Sequence, residues 1–347
     1  MMNDHLAAPK PSRPPPPQAL AQLINGHWVS RLIYVVAELG VADLLKDGPM
    51  SAADLARATG AHPRALHRVL RALASLGVFA AQGDLFALTP TAELLQSGDP
   101  SSLRDFARME GDDWHWRTSG DILHSVKTGE PAFEHLFGME CSEYLKEHPE
   151  SRVTLDEAMG SASTVDAAAI ASSYDFSGFQ TLVDVGGGQG ILLAAILHAH
   201  RCVRGILFDQ PAVIAGARGR PRFYSPEIAG RLELRSGSFF ESLPEGADGY
   251  LLKSILHDWE DDRAVAILES CHRAMACCGR IVVAEMLIPP GDSPPFVNLL
   301  DVQRMVVSRG GERTEAEYRR LFERAGLRMT RVVPTSARIS LLEAISG

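Results

Sequence analysis

The chain has 347 residues, of which 46% are hydrophobic and 22% charged, and its formal net charge is -9. That length suits two domains and that composition a sizeable core, while the acidic balance gives no global attraction to nucleic acid or to an anionic membrane. No apolar run approaches the roughly 20 residues that span a bilayer.

In chain order, the N-terminus lacks the basic-then-apolar pattern of a secretory signal. Pro9 to Pro17, with Pro14 to Pro17 consecutive, is expected to form neither helix nor sheet ladder, so residues 1–18 read as a disordered lead-in. Over 19–48, Leu20, Leu23, Ile24, Leu32, Val35, Val36 and Leu39 recur at helical spacing. Gly40 ends that helix and a short one follows over 41–45. Ser51 caps a helix over 52–58, with Asp54 three positions on. Pro63 starts another, which places Leu66, Val69, Leu70 and Leu73 on one face and is closed by Gly77. Two short apolar runs, 78–81 and 85–88, flank Gln82-Gly83-Asp84, a hairpin signal. Together these predict an α-helical winged-helix domain over 19–100. Residues 101–175 read as a helical connecting region whose aromatics, Trp114, Trp116, Phe133, Phe137 and Tyr144, could line a pocket.

From 176 to 347 strand and helix alternate. Strands are expected at 181–185, 205–208, 232–235, 249–252 and 280–285, and helices at 191–200, 261–276 and 314–325. Two last strands, 329–333 and 339–344, read as an antiparallel hairpin. Such alternation predicts an α/β, Rossmann-like domain with a mostly parallel sheet covered on both faces.

Between the first strand and its helix stands Asp184-Val185-Gly186-Gly187-Gly188-Gln189-Gly190. Glycine lets the backbone turn sharply and approach a ligand with no side chain in the way. The next strand ends in Asp209, about 20 residues past the glycines, where an acid can accept hydrogen bonds from ribose hydroxyls. The spacing is G-x-G-x-G, and Ile191 stands where a dinucleotide fingerprint wants its third glycine. Asp184 suits a cationic amino-acid ligand better than a pyrophosphate. The five cysteines, Cys141, Cys202, Cys271, Cys277 and Cys278, form no C-x-x-C pair and no zinc spacing. They read as free thiols of a reducing compartment, so the expected location is cytoplasmic.

These residues resemble the class I methyltransferases of the plant caffeic-acid and hydroxyindole O-methyltransferase type and their bacterial natural-product relatives. The resemblance covers nearly the whole chain after about residue 19. It rests most on Leu182 to Gly188, Phe208-Asp209-Gln210-Pro211, Leu256-His257-Asp258-Trp259 and Gly310-Gly311-Glu312-Arg313-Thr314. It implies S-adenosylmethionine as cofactor, the methionine portion at Gly186 and Gly188, the ribose at Asp209 and a cofactor-contacting lysine at Lys253. Ser238-Phe239 falls where the family has an acid and an apolar residue at the adenine, so Ser238 is a departure. The segment between Asp209 and Ser238, including Arg218 to Pro226, is longer than usual and reads as a surface insertion.

His257 follows a strand at the carboxyl end of the sheet, where such folds bind ligands. A phenol with pKa near 10 is mostly protonated at neutral pH, and a histidine in reach can remove that proton if a partner fixes its tautomer. The resemblance implies His257 as base with Glu285 and Glu312 beside it, although the glycine-to-glutamate spacing is one residue tighter than in the plant enzymes. It also implies a homodimer whose partner helices close the pocket, a region that contains Gln22, His27 and Trp28, and a small, aromatic acceptor near Asp301, Arg304 and Met305. Polar Arg304 suits an anionic or carbonyl-rich acceptor. No metal is expected, for no carboxylate cluster stands out. The alternatives are a nitrogen or carbon methyltransferase, an altered-chemistry relative, and a DNA-binding regulator using Arg64, His67, Arg68 and Arg71. The acidic balance opposes the last.

Overall fold

The computed structural model describes residues 15–99, 101–218, 225–291 and 295–347, and the chain forms two compact units that divide between Gly111 and Asp112. In the first, helices α1 (Pro16–Ile24), α2 (Gly26–Glu38) and α3 (Val41–Leu44) lead into β1 (Met50–Ser51), α4 (Ala52–Thr59), α5 (Pro63–Ser75), β2 (Phe79–Gln82), β3 (Leu85–Leu88), α6 (Pro90–Glu93) and α7 (Arg104–Gly111). The helix α1 starts inside the segment expected to be irregular. Pro16 and Pro17 occupy its first positions, where a missing N–H would have found no partner anyway. The remaining lead-in, residues 1–14, lies outside the described residues.

The helix expected from residue 19 to Gly40 is broken at Asn25, between α1 and α2. The Ser51 hydroxyl does cap α4, accepting from the Asp54 amide at 3.1 Å. Leu55, Leu66, Leu70, Leu73, Phe79 and Phe86 bury a common core. The expected hairpin β2–β3 gains β1 as a third strand, in the order β1-β3-β2.

The second unit opens with α8 (Asp113–Gly120), α9 (Ile122–Thr128), α10 (Ala132–Phe137), α11 (Cys141–Glu147) and α12 (Pro149–Ser173). Trp114 and Phe133 are buried here, with Phe137 and Tyr144 packed on them. Then come β4 (Thr181–Val185), α13 (Ile191–Ala199), β5 (Arg204–Asp209), α14 (Pro211–Arg218), α15 (Pro226–Ala229), β6 (Leu232–Ser236), β7 (Gly249–Lys253), α16 (Asp261–Ala274), β8 (Arg280–Met286), α17 (Pro295–Val307), α18 (Glu315–Arg324), β9 (Leu327–Pro334) and β10 (Ile339–Ser346). Thr314 and Glu317 close a capping box on α18.

The seven strands lie in the order β6-β5-β4-β7-β8-β10-β9. All pairs are parallel except those of β10 with β8 and with β9. The chain runs outward from β4 to β5 and β6, then returns to lay β7 on the other side of β4. That reversal opens a crevice at the carboxyl ends of the central strands. Clusters around Val183, Tyr250 and Phe322 and around Leu182, Leu193 and Leu251 fill the two faces. No helix among the described residues is long and apolar enough to cross a membrane. Most of the expected surface insertion, residues 219–224, lies outside the described residues.

Candidate active site

β4 is an apolar strand with one charged residue, Asp184, only 1% exposed. Beyond it the chain turns through Gly186, Gly188 and Gly190, with φ of 69°, 59° and 76°, a region that side chains rarely enter. Gly186 and Gly187 are also closely packed by side chains. A Cβ at Gly186 would lie 2.5 Å from Ile255, and one at Gly187 would lie 2.5 Å from both the Asp184 carboxyl and Leu207. The turn therefore lies directly on the buried acid. Burial, reinforced by Asp209 and opposed by Lys253, pushes the Asp184 carboxyl up to about 7, and its Oδ2 is buried without a hydrogen-bond partner.

Asp209, at the end of β5, accepts from the Gly188 amide at 2.8 Å and from the Gln210 amide at 2.7 Å. Burial also raises its pKa. Lys253 ends β7 and reaches Asp166 on α12 at 3.2 Å and Ser163 at 3.3 Å. After β6, the Ser238 hydroxyl accepts from the Phe240 amide at 3.3 Å. Phe239 lies against Gly186 and meets Trp259 edge-on at 6.1 Å. An unpartnered buried carboxylate oxygen beneath a glycine-rich turn, with an acid on the next strand, fits a ligand that joins a cationic amino-acid head to a ribose.

A second constellation lies past β7. Ser254 has φ of 54°, the only positive value outside glycine among the described residues. It redirects the chain into a single tight turn, Leu256–Asp258. His257 on that turn is buried, and its Nδ1 is 2.9 Å from Glu312 Oε1 and 3.4 Å from Glu285 Oε2. Burial alone would lower its pKa, but the facing Glu285, with Asp258 and the Glu312 hydrogen bond, outweighs burial and the nearby Arg304 and raises it. Glu285 itself is raised by burial and by Glu312.

The two carboxylates hold different things. Glu285 Oε1 accepts from the Ile255 and Leu256 amides at 3.0 and 2.9 Å, which rivets the turn to β8. Glu312 makes the shorter contact with the ring, despite its shifted spacing.

The glycine-rich segment before Glu312 is a clamp. A Cβ at Gly310 would fall 2.1 Å from the His257 carbonyl oxygen and 2.5 Å from Asp258 backbone, so only glycine fits. The Gly311 amide donates to that same carbonyl at 2.9 Å. Arg313 completes the clamp, donating to the Leu256 and Trp259 carbonyls at 2.9 and 2.7 Å. Asp301 on α17 accepts from the Glu312 amide at 2.9 Å. Arg304, one turn further along α17, bonds Asp258 at 2.7 Å and stands 3.1 Å from His257 Nε2.

The fold thus brings His257, Glu285 and Glu312 together, with one ligand-type atom from each within 4.8 Å of the others. That carboxylate cluster is absent from the linear sequence because 26 residues lie between Glu285 and Glu312. Asp184, Gly186, Gly188, Asp209 and Lys253 gather at the ends of β4, β5 and β7. Arg313, Asp166 and Ser163 are additions to the expected set, while Asp301, expected near the acceptor, instead holds the Glu312 amide. Arg313 had a signal, for it directly follows Glu312 in the quoted motif, whereas the contacts of Asp166 and Ser163 depend on how α12 packs. Cys141 lies within the field of Asp258 and Arg304, and burial pushes its thiol up to about 12.

Comparison with known proteins gives matches along nearly the whole chain. An O-methyltransferase domain profile matches residues 116–328 and an O-methyltransferase dimerisation domain profile residues 21–98. The phenazine O-methyltransferase PhzM of Lysobacter antibioticus is 42% identical over 94% of this chain and 95% of that protein. The 8-amino-8-demethylriboflavin N,N-dimethyltransferase of Streptomyces davaonensis is 36% identical over 88% of each. Among solved structures, CalO1, a methyltransferase in calicheamicin biosynthesis crystallised with SAH, superposes with a TM-score of 0.83 at 35% identity, covering 95% of this chain and 98% of that one.

Proposed function

Because the chain belongs to the O-methyltransferase family, we propose that it methylates a hydroxyl of a small aromatic acceptor, with His257 receiving the hydroxyl proton. When bound, S-adenosylmethionine supplies a methyl group on a positively charged sulfur. Gly186 and Gly188 let the backbone approach its methionine portion, and Asp184 balances the cationic head. Asp209 accepts from the ribose hydroxyls, Lys253 contacts the donor, and Ser238 and Phe239 flank the adenine. Ser238 hydrogen-bonds there without the charge of an acid.

At the acceptor, His257 offers Nε2 because Nδ1 is engaged by Glu312. The proton passes to Nε2, and the imidazolium is stabilised by Glu312 and Glu285. The observation that carries this reading is the buried His257–Glu312 pair, 2.9 Å apart, on a turn clamped from both sides. The relative named for N,N-dimethylation gives nitrogen transfer a specific claim. A panel of phenolic, quinone-derived, indole and arylamine acceptors with radiolabelled donor decides between them. Hydroxyl transfer requires product heavier by one methylene, label on oxygen, and one S-adenosylhomocysteine released per product. Label found only on nitrogen or carbon overturns it.

The division into a dimerisation domain over 19–100, a connecting region over 101–175 and a donor-binding domain over 176–347 is part of the same proposal, as is a homodimer. Leu20, Leu23, Ile24 and Trp28 are 58%, 78%, 64% and 59% exposed, an apolar face of the kind that oligomers cover. The wild-type chain is expected to sediment as a dimer and the Leu23→Asp, Ile24→Asp double variant as a monomer. A monomeric wild-type chain removes the dimer from the account.

A further inference from the structure

The nitrogen of His257 that must meet an acceptor is capped by a cation. With Nδ1–H donating to Glu312, the neutral ring has its lone pair at Nε2, and Arg304 Nη2 stands 3.1 Å from it. A guanidinium has donors and no acceptor, so the contact is an N–H directed at the lone pair. Nη1 of the same group donates to Asp258 at 2.7 Å, which anchors it. Its Nε is buried, 4.0 Å from Glu312 and without a hydrogen-bond partner.

A hydroxyl that reaches Nε2 displaces the Nη2–H. That would leave a further unpaired donor on a guanidinium already only partly satisfied, unless the acceptor brings an oxygen to it. The spacing allows this. The two nitrogens are 3.1 Å apart, close to the roughly 2.7 Å between a hydroxyl and a neighbouring oxygen that share a hydrogen bond.

We propose that Arg304 is a specificity-determining residue that selects acceptors whose reacting hydroxyl has a carbonyl or carboxylate at the adjacent ring position, the guanidinium moving from His257 Nε2 to that oxygen as the hydroxyl arrives. This rests on the hydroxyl-transfer reading and narrows its acceptor. Asp258 keeps its grip on Nη1 throughout, so only a small shift of the guanidinium is needed. A site built to bond a particular group discriminates strongly against analogues that lack it.

The test compares 1-hydroxy-2-naphthoate with 1-naphthol and 1-hydroxyanthraquinone with 1-hydroxyanthracene, in the full-length protein with S-adenosylmethionine. In the wild-type enzyme kcat/KM favours the oxygen-flanked member of each pair by about 10²-fold or more. In Arg304→Met the ratio collapses to about one, partly because the plain phenol improves once Nε2 is uncapped. Arg304→Lys, which keeps a charge but not the fork, gives an intermediate ratio and serves if the methionine variant fails to fold. A purely structural role would depress both members alike and leave the ratio unchanged. An equal rate within each pair in the wild type, or a preference that survives both substitutions, overturns the assignment while leaving hydroxyl transfer intact. Turnover of none of the four, with the donor still bound, overturns both.

Discussion

Replacing His257 by alanine is expected to lower kcat by about 10²- to 10⁴-fold, the usual contribution of a positioned base, with the Kd for S-adenosylmethionine unchanged. The two effects separate because the glycine turn and Asp184 belong to β4, whereas His257 lies on the turn after β7 and is held by Glu285, Gly311 and Arg313. The pH profile sharpens the test. His257 is held above the usual imidazole value, so its protonated form persists to higher pH, and only the neutral ring can accept a proton. With the donor saturating at every pH, kcat/KM for the acceptor therefore rises with pH through that raised value in the wild type, and in His257→Ala this acid limb disappears. Steady-state kinetics over pH 5.5–9 would settle it. A variant within a few-fold of wild type, with the limb intact, means that positioning alone carries the transfer.

The second large effect concerns donor affinity. Asp184 is raised to about 7 by burial and by Asp209, and a cationic ligand favours the ionised carboxylate. Binding must then release a proton wherever free Asp184 is protonated. Affinity is expected to fall by about tenfold for each pH unit below 7 and to level off above it. Above about 8 it falls again as the α-amino group of the donor loses its own proton. Calorimetry in two buffers of different ionisation enthalpy reads the released proton directly. In Asp184→Asn the acid dependence vanishes, and affinity at pH 7.5 drops toward the value the wild type shows near pH 6. Proton release that persists in the variant would assign it to another group, with Asp209 next in line because it too is raised by burial.

Much of this architecture is legible in the chain because its signals are local. The strands around 181–185, 249–252 and 280–285 are near-continuous apolar runs bounded by glycine, lysine or acid, which is what strands buried on both faces must be. Less legible is what depends on partners distant in sequence. α17 shows no clean helical stripe, and only Val297 and Val306 are buried on it, so its pattern does not announce a helix. The break at Asn25 interrupts an apolar periodicity that runs straight through it.

The site divides in the same way. Asp184 and Asp209 follow from strand ends and glycine spacing, and His257 from its place after β7. That Glu285 rivets the turn while Glu312 engages the ring could not be read from spacing, because two acids on different segments look equivalent until the chain folds. Arg304 was legible as a polar residue expected near the acceptor, but not as the group that touches His257.

Gly310 bears on how such an enzyme can diversify. A Cβ there would run into the His257 carbonyl, and the Gly311 amide bonds that same carbonyl, so the loop bearing Glu312 and the turn bearing His257 are tied together. His257 and Glu312 are therefore mounted as one piece. Arg304 projects from a separate helix that meets this mount through a few polar contacts. On the role proposed for Arg304, changes on that helix can shift acceptor preference while His257 and Glu312 keep their alignment.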